Sequence, residues 1–307
     1  MKLIGENIHI ISKSVKENFL TKNEDFFTKL ILAQKNMDFI DLNVGPAKMN
    51  FAGVLPWLVK QVQELLPDKG ISFDTTNIEE MKAGFEVYKN KNNSFINSTS
   101  SDEEKFEPLT ELAIQNDCNI IALTLSKETG IPKTSDGRLD IAFDMYERFL
   151  EKGIDSEKIY FDPLVLPITA EQSQAVEALN TIKMIKESFD PPVKTVVGLS
   201  NVSNGCPNDL RPLINRVFAV FAFGAGLDAA IIDAKDTELV RILNMLQIND
   251  PQNSLDNLYV NLTKVISDFE DLDSIEYDIG NKEEKSVIKA AGIILNKEVY
   301  SNSFTQI

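Results

Sequence analysis

Short apolar segments alternate with longer segments of helical periodicity along most of this 307-residue chain, and this alternation limits its fold more than any other feature. The strand-like segments are rich in β-branched and aromatic residues and almost continuously apolar, which is typical of parallel strands buried on both faces. Eight are predicted, at residues 3–8, 39–44, 71–75, 94–97, 120–125, 159–164, 195–199 and 229–233. Such alternation indicates an α/β protein built from parallel β/α units.

A segment with apolar residues three and four apart follows each predicted strand. The predicted helices cover residues 26–37, 54–66, 78–89, 106–116, 141–152, 172–188, 213–225 and 238–247. Eight strand–helix units in about 250 residues favour a (β/α)8 TIM barrel over an open doubly wound sheet. No Gly-x-Gly-x-x-Gly or Gly-x-x-x-x-Gly-Lys-Ser/Thr motif follows a strand, so a dinucleotide or nucleoside triphosphate site is not favoured.

The segment 250–286 differs from the rest of the chain because it is strongly acidic. It holds ten acidic residues and three lysines, a net charge of −7. Apolar residues at helical spacing predict an extra helix over 255–269, and a final helix is predicted over 286–295. We therefore expect residues 1–307 to form one barrel domain in which 250–286 is an acidic helical insertion before the last helix. A solvated decoration and a docking surface remain alternative interpretations of that insertion.

Composition argues against several classes of function. The chain has 47 Asp and Glu against 31 Lys and Arg, a formal charge of −16, so it should repel nucleic acid and anionic membranes. Its two cysteines, Cys118 and Cys206, and its single histidine, His9, cannot build a disulfide framework or a zinc cluster. No signal peptide is evident, and no apolar stretch approaches the roughly 20 residues of a membrane span. A cytoplasmic location is expected.

Polar residues close several of the predicted strands. In a TIM barrel the functional groups lie at the carboxyl ends of the strands, where the β/α loops begin. The strand-end residues of this kind are Asp41, Asn43, Asp74, Asn97, Asp162, Ser200 and Asn201. Because no lysine, histidine or cysteine is placed among them, the sequence favours neither a Schiff-base lysine nor a nucleophile beside a base.

Two kinds of ligand suit this set of carboxylates and amides. A divalent cation could be held by Asp41, Asp74 and Asp162, because hard cations prefer oxygen ligands. The asparagines between these residues make that the less favoured alternative, and no protein-bound metal is expected. The favoured ligand is a flat heterocycle such as a pterin, whose ring N–H and exocyclic amino group can donate to both oxygens of one carboxylate.

Each candidate also has a purely structural interpretation. Asp74 precedes a predicted helix and could cap it. Asn97 could bind loop backbone, and Asp162 stands before a proline and could initiate a turn. Glu6, at the end of the first predicted strand, suits a barrel ion pair as well as a functional site.

Nine short motifs along the chain carry a resemblance to a known family. They are Gly5-Glu6-Asn7, Asp41-Leu42-Asn43-Val44-Gly45-Pro46, Asp74-Thr75-Thr76-Asn77, Ile96-Asn97-Ser98-Thr99, Thr129-Gly130-Ile131-Pro132-Lys133, Asp162-Pro163-Leu164, Gly198-Leu199-Ser200-Asn201-Val202-Ser203, Arg211-Pro212-Leu213-Ile214-Asn215-Arg216 and Gly226-Leu227-Asp228-Ala229-Ala230. In this order the series resembles the methyltetrahydrofolate:corrinoid protein methyltransferases. The resemblance runs through residues 1–244 and resumes at 290–296.

The resemblance implies a pterin-binding TIM barrel, usually a homodimer, in anaerobic one-carbon metabolism. Such an enzyme moves the methyl group on N5 of methyltetrahydrofolate to the cobalt of a corrinoid, or cobalamin, held by a partner protein. The family includes members that run the transfer toward tetrahydrofolate, so the direction stays open. Position by position, the residues that match folate-binding residues of the family are Asp74, Asn97, Asp162, Gly198, Ser200, Asn201 and Arg211.

The resemblance also implies a catalytic role for Asn201, and the chemistry at N5 suggests a further one for Asp162. Asn201 matches the asparagine that hydrogen-bonds at N5. A tertiary amine leaves only if it gains positive charge, so a strong hydrogen bond or a proton at N5 is needed in the transition state. An amide is too weak an acid to give that proton, so we expect a relay of Asn201, water and Asp162. The reduced cobalt is the nucleophile, so no activated serine, cysteine or lysine is required.

Two other functions remain open at the level of sequence. A dihydropteroate synthase would share the pterin barrel but should carry basic residues near the rim of the seventh strand, for a diphosphate leaving group. That rim begins Gly-Leu-Ser-Asn-Val-Ser-Asn-Gly over residues 198–205. A folate-binding protein without catalytic turnover is the other alternative. The sequence names neither the corrinoid partner nor the groups that hold the glutamate tail of the folate.

Overall fold

A computed structural model of the chain describes residues 1–45 and 52–306. Eight parallel strands close a barrel in which each strand pairs with the next and the last pairs with the first. The strands are β1 Lys2–His9, β2 Phe39–Gly45, β3 Gly70–Thr75, β4 Ser94–Thr99, β5 Asn119–Leu123, β6 Ile159–Asp162, β7 Lys194–Gly198 and β8 Ala229–Ile232. The predicted (β/α)8 TIM barrel is confirmed. Pro46, which belongs to one of the motifs, lies outside the described residues.

The helices surround the strands and differ at several ends from the sequence prediction. They are α1 Lys13–Thr21, α2 Glu24–Leu32, α3 Val54–Leu65, α4 Ile78–Val87, α5 Glu103–Asn116, α6 Ser135–Lys152, α7 Gln174–Ser188, α8 Arg211–Gly224, α9 Thr237–Ile248, α10 Ser254–Ser267 and α11 Lys282–Ile294. In the described part of the chain, no helix combines the length and the apolar character needed to cross a membrane.

Local capping explains the main differences. Helix α1 was not predicted, because only Val15 and Phe19 are buried on it and two residues make a weak periodic signal. Helix α6 begins at Ser135 and not at residue 141, because the side chain of Thr134 accepts a hydrogen bond from the backbone N–H of Gly137. Its first turn therefore forms before the apolar periodicity starts.

The lower half of the barrel is filled by apolar side chains. Phe39, Phe95 and Tyr160 pack edge to face inside it, with ring centroids 4.8 and 4.7 Å apart. The other members of this interior cluster are Ile4, Ile121, Val196 and Ala229. Because side chains alternate between the two faces of a strand, residues two positions further along point to the same interior. The polar strand ends Glu6, Asp41, Asn97 and Asp162, and the glycine Gly198, therefore lie one layer above this apolar filling.

The acidic C-terminal segment packs against the barrel through α8. Helix α10 buries Leu258, Tyr259 and Leu262, and both α10 and α11 contact α8. The contact is close at Gly224, where any side chain would collide with the backbone of Thr263. Helix α11 begins at Lys282 and not at residue 286, because the side chain of Asn281 caps it. The division of the chain into one domain with an insertion stays a prediction.

Candidate active site at the mouth of the barrel

One side of the barrel mouth is a hydrogen-bonded network across β2, β3 and β4. Asn43, Asp74 and Asn97 lie at one level of the sheet, as aligned partners on the three strands. Asn43 Nδ2 donates to Asp74 Oδ2 at 2.5 Å, and Asn97 Nδ2 donates to Asp41 Oδ1 at 3.2 Å. The buried hydroxyl of Ser72 donates to the same Asp41 oxygen at 2.6 Å. These polar groups therefore hold one another in place before any ligand is bound.

The two carboxyl groups of this network interact directly. Burial raises the pKa of Asp41 to about 6, although hydrogen bonds from Ser72, Asn97 and Asp74 oppose the rise. Burial also raises the pKa of Asp74 well above its ordinary value, and the charge of Asp41 raises it further. The hydrogen bond between the carboxyl groups lowers the pKa of Asp41 and raises that of Asp74. Ionisation of both carboxyl groups at once is therefore disfavoured, and Asp74 is the member whose pKa is raised more strongly.

Asp74 does not cap the following helix. The side chain of Asn77 accepts the hydrogen bonds from the backbone N–H groups of Glu79 and Glu80 at the start of α4. The capping interpretation of Asp74 is wrong, because Asn77 stands directly before the helix. Asn97 likewise donates to a side chain and not to loop backbone. Both side chains are thus committed to the interior of the mouth.

Asp162 ends β6 and is buried. Its Oδ1 accepts a hydrogen bond from the backbone N–H of Leu164 at 2.8 Å, so the predicted turn is present, and Leu164 takes the uncommon φ of 65° within it. Burial raises the pKa of Asp162 to about 7, against the opposing effects of the Leu164 hydrogen bond and the positive charge of Arg138. A group with this pKa can both accept and release a proton at neutral pH.

Asn201 lies in the short 3-10 helix Leu199–Ser203 that follows β7, and its side chain is exposed. Its Oδ1 accepts a hydrogen bond from Asn204 Nδ2 at 3.2 Å. A Cβ atom on Gly198 would lie 3.0 Å from Asn201 Nδ2. The amide of Asn201 therefore lies over Gly198 at the open rim of the barrel, in space that the absence of a side chain at Gly198 leaves free.

Ser200 joins this loop to the first strand. Its hydroxyl donates to Glu6 Oε1 at 2.5 Å. Burial raises the pKa of Glu6 to about 7; the Ser200 hydrogen bond lowers it, and the nearby charges of Asp233 and Asp41 raise it. In the described residues Glu6 takes part in no ion pair, so the ion-pair interpretation of this residue is wrong.

A cavity of about 450 Å³ opens between β1, β8 and the first turns of α8 and α9. Its lining includes Glu6, Ser200, Arg211, Arg216 and Lys235, and the acids Asp233 and Asp236. Among the described residues, Ser200 and Arg211 are the sequence-predicted site residues that line it, whereas Asp74, Asn97, Asp162 and Asn201 do not. The predicted set is therefore divided between the network on β2–β4 and the rim that leads to this cavity.

Arg211 begins α8 and is tied to the loop after β7. Its Nε donates to Ser203 Oγ at 3.1 Å, and its Nη2 donates to Asn204 Oδ1 at 3.2 Å. Because Asn204 also donates to Asn201, the guanidinium and the Asn201 amide are linked through one shared side chain. The position of Arg211 therefore affects the position of Asn201.

Sequence reasoning included Asn43 among the polar strand ends, but it did not single out Asn7, Asp233 or Arg138. Asn43 lies two positions after Asp41, so strand alternation alone places both on the interior face. Asn7 Nδ2 donates to Asp233 Oδ1 at 2.6 Å between the ends of β1 and β8, and both residues follow apolar strands. Arg138 had no signal, because an arginine at the start of a helix is usually exposed.

The three carboxylates Asp41, Asp74 and Asp162, which the sequence offered as an alternative metal site, do not form one group. Asp41 and Asp74 share a hydrogen bond, whereas Asp162 bonds to the Leu164 backbone on the far side of β4 and β5. In residues 1–45 and 52–306, no group of three His, Cys, Asp or Glu side chains could hold a metal ion.

The family model of the pterin binding enzymes matches residues 43–233, more than half of the chain. A Eubacterium limosum protein named methylcorrinoid:tetrahydrofolate methyltransferase is 27% identical over 244 residues, which are 78% of this chain and 88% of that protein. A methionine synthase of Mycobacterium leprae is 28% identical over 62% of this chain, and one of Mycobacterium tuberculosis is 29% identical over 60% of it. The match spans only 16% of the length of each methionine synthase. The predicted resemblance is confirmed.

Two solved structures share the fold. The dihydropteroate synthase of Yersinia pestis has a TM-score of 0.56 at 14% identity, over 80% of this chain and 93% of that one. A second structure, of a Mycobacterium tuberculosis protein, has a TM-score of 0.53 at 13% identity, over 82% and 94% of the two chains. Identities this low establish a common barrel and nothing about the reaction.

Proposed function

We propose that this chain, which belongs to the family of pterin-binding enzymes, transfers a methyl group between N5 of methyltetrahydrofolate and the cobalt of a corrinoid held by a partner protein. The name of the Eubacterium limosum relative supports this reaction, and the chain matches that relative over most of the relative's length. The observation that carries the proposal is the position of the Asn201 amide over Gly198, at the rim of a mouth built from carboxyl and amide groups. Either direction of transfer is consistent with it.

The edge of the pterin would bind to Asp74, Asn97 and Asp162. An ionised Asp162 can accept from two adjacent N–H groups of the ring, one at each oxygen. Its Oδ1 already accepts from the Leu164 N–H and keeps a second lone pair for this purpose. The protonated Asp74 and the Asn97 amide offer both donors and acceptors. Because this network is already bonded, little side-chain entropy would be lost on binding.

The reaction at N5 would be assisted by Asn201. Its Nδ2 donor is held at the rim, where it can stabilise charge that develops on N5 in the transition state. Asp162, with its pKa of about 7, would exchange the N5 proton through water. Ser200 and Arg211 would position the same loop through Glu6 and Asn204. The corrinoid, when its carrier protein docks, supplies the nucleophilic cobalt.

Three finer statements are parts of the same proposal. The partner is a corrinoid protein, the enzyme acts as a homodimer, and it works in the cytoplasm of cells with anaerobic one-carbon metabolism. The name of the relative supports the corrinoid partner.

A dihydropteroate synthase-like reaction is the second candidate. The basic side chains Arg211, Arg216 and Lys235 line the cavity beside the seventh and eighth strands, where a diphosphate group would need them. Against this, Arg216 is paired with Asp236 at 2.6 Å, and Glu6 and Asp233 line the same cavity. The acids offset the positive charge, so we rank this reaction below methyl transfer.

A direct assay separates these functions. The protein is mixed with methyltetrahydrofolate and chemically reduced cobalamin, and the absorbance of methylcobalamin is followed, with tetrahydrofolate as the control lacking the methyl group. Methylcobalamin formation at an enzyme-dependent rate supports the proposal. Release of diphosphate from a pterin diphosphate and p-aminobenzoate, without methyl transfer, contradicts it in favour of the second candidate. Tight folate binding with neither reaction indicates a non-catalytic folate-binding protein.

A further inference from the structure

Residues 296–306, which follow α11, lie against the loops at the mouth of the barrel. This segment, here called the C-terminal strap, forms neither helix nor strand. Phe304 is 7% exposed, and its ring centroid lies 6.2 Å from that of Tyr300. Val299, another large apolar side chain of the strap, is 90% exposed. Because ordering a chain segment costs conformational entropy and little apolar surface is buried here, hydrogen bonds must help to hold the strap in place.

The side chain of Gln172 joins the strap to the β6–α7 loop, residues 163–173. Gln172 Nε2 donates to the carbonyl of Ile293 at 2.8 Å and to that of Glu298 at 2.6 Å. Gln172 Oε1 accepts from the backbone N–H of Tyr300 at 2.8 Å. This amide therefore uses both of its N–H groups and an oxygen lone pair on the last turn of α11 and on the strap. The position of the strap and that of the β6–α7 loop thus depend on each other.

The strap also contacts the loop 199–210 between β7 and α8, which carries Asn201. The side chains of Tyr300 and Cys206 interact through a hydrogen bond, and Cys206 is 7% exposed. The backbone N–H of Cys206 donates to the Ser203 carbonyl at 3.1 Å, within the turn that follows Asn201. The strap therefore covers the part of this loop next to the Asn201 amide.

The β6–α7 loop makes a second attachment to the loop 199–210. Its Ile168 N–H donates to the Val202 carbonyl at 3.0 Å, and its Thr169 Oγ1 donates to the Asn204 carbonyl at 2.7 Å. These bonds join two loops that follow neighbouring strands of the barrel. The strap, the β6–α7 loop and the loop 199–210 therefore form one hydrogen-bonded unit at the mouth.

We propose that Gln172 is a positioning residue for Asn201: by joining the strap to the β6–α7 loop, it holds the loop 199–210 in the conformation that places the Asn201 amide over Gly198. The role in methyl transfer rests on the proposed function, whereas the coupling of the strap to this loop does not. Asn201 is exposed, and exposed loops with few contacts to other segments open at low free-energy cost. Each attachment to another segment makes opening less favourable, so Asn201 is held in place in a larger fraction of molecules.

Opening of the strap is measured by the reaction of Cys206 with iodoacetamide in the full chain, with mass spectrometry to identify the labelled cysteine. Gln172→Glu is nearly isosteric; it keeps an acceptor for the Tyr300 N–H and loses both donors. Labelling of Cys206 should become about tenfold faster, because two of the hydrogen bonds that oppose opening are absent. Cys118, with 0% exposure beside β5, is the internal reference and should be labelled at an unchanged rate. Gln115→Glu, exposed on α5, is the matched control.

Steady-state kinetics of methyl transfer give the second measurement. Gln172→Glu should lower kcat about fivefold and change KM for methyltetrahydrofolate less than about twofold, because the hydrogen bond of the Asn201 amide matters most in the transition state. A residue that only stabilises the fold would leave kcat per folded molecule unchanged. Faster labelling of Cys206 with an unchanged kcat in an active enzyme would therefore contradict the positioning role.

A second variant covers the case in which Gln172→Glu does not fold. Thr169→Val is an isosteric change at an exposed position, and it removes the hydroxyl that donates to the Asn204 carbonyl. It should accelerate the labelling of Cys206 about threefold, as expected for the loss of one hydrogen bond. In the double variant with Gln172→Glu it should add less than its separate effect, because both changes act on the same unit.

Three outcomes decide the inference. Unchanged labelling of Cys206 in every folded variant overturns it, whether or not the wild type transfers methyl groups. Equal acceleration at Cys206 and Cys118 shows general unfolding and overturns it as well. Faster labelling of Cys206 alone, in a protein without methyl transfer, supports the coupling and contradicts only the proposed function.

Discussion

The two halves of the barrel mouth are built in different ways. On β2–β4 the polar side chains come from the strands themselves and bond to one another, as Asn43 does to Asp74 and Asn97 to Asp41. On β6–β8 and β1 the polar groups come largely from the following loops, and they line a cavity. Groups on strands keep fixed positions, whereas loop groups can adjust as charge moves. This contrast supports ligand recognition on the first half and the reaction on the second.

The contrast is tested most strongly at Asn201. Asn201→Ala should keep the fold, weaken folate binding only moderately and slow methyl transfer more than tenfold, up to about 100-fold, because the lost hydrogen bond is strongest in the transition state. The rate of methylcobalamin formation measures this. Asn244→Ala, an exposed change on α9 near the opposite end of the barrel, is the control. An unchanged rate of methyl transfer in the folded variant would show that Asn201 takes no part in the reaction.

Asp162 ends β6 in the second half, but it is proposed to bind the pterin edge, so its replacement should affect binding. Asp162→Asn should weaken folate binding about tenfold, because an amide places an N–H donor against the donors of the ring. Calorimetric titration measures the affinity, and Asp140→Asn, exposed on α6, is the matched control. Equal affinities for the wild type and Asp162→Asn would show that this carboxyl does not bind the ring edge.

On the first half, β2–β4, Asp74→Asn should change the unfolding free energy of the protein and its affinity for folate to different extents. The amide imitates the protonated carboxyl: it can donate to Asp41 and accept from Asn43. The pKa of Asp74 is raised in the folded protein, so the wild type loses stability as pH rises from the ordinary pKa of 3.8 toward the folded-state pKa. Asp74→Asn escapes this loss, and its unfolding free energy at pH 7 should exceed that of the wild type by about 1–2 kcal/mol.

Urea unfolding at pH 4, 6 and 8 measures this difference, which should grow with pH. Asp68→Asn, an exposed change in the turn before β3, should show no such trend. Folate binding by Asp74→Asn should change little, because the amide offers one donor and one acceptor as the protonated carboxyl does. A stability difference independent of pH would refute the raised pKa of Asp74.

The smallest effect is expected at Ser200. Ser200→Ala removes the hydrogen bond that lowers the pKa of Glu6, so that pKa, already about 7, should rise further. We expect methyl transfer to slow about two- to fivefold, which corresponds to the loss of one ordinary hydrogen bond. The pH dependence of the rate measures it, with the acidic limb moved to higher pH. A pH profile identical to that of the wild type would show that the ionisation of Glu6 does not affect the reaction.

The sequence predicted the barrel and the placement of its polar strand ends, because both follow from the alternation of side chains in apolar strands. Asp41, Asn97 and Asp162 could be assigned to the interior for that reason. What the sequence did not predict depends on contacts between distant segments. The interaction of the Asp41 and Asp74 carboxyl groups requires the register of β2 and β3, and the cavity requires the packing of α8 against α9.

Arg138 shows the same limit for a single residue. Hydropathy assigns an arginine to the surface, and only the surrounding carbonyl of Pro132 and side chain of Gln174 explain its burial. Helix ends were misplaced for a related reason, because Thr134 extends α6 by capping and not by apolar periodicity. Local hydrogen bonds of this kind leave no periodic signal.

The close contact at Gly224 has a consequence for the opposite end of α8. An α-helix is stiff along its axis, and α8 carries Gly224 at its last position and Arg211 at its first. A bulkier residue at Gly224 would push the helix away from Thr263 and change the angle at which Arg211 reaches Asn204. A substitution on the outer surface of the barrel, where α10 packs on α8, is therefore expected to displace a residue of the rim at the far end of the same helix.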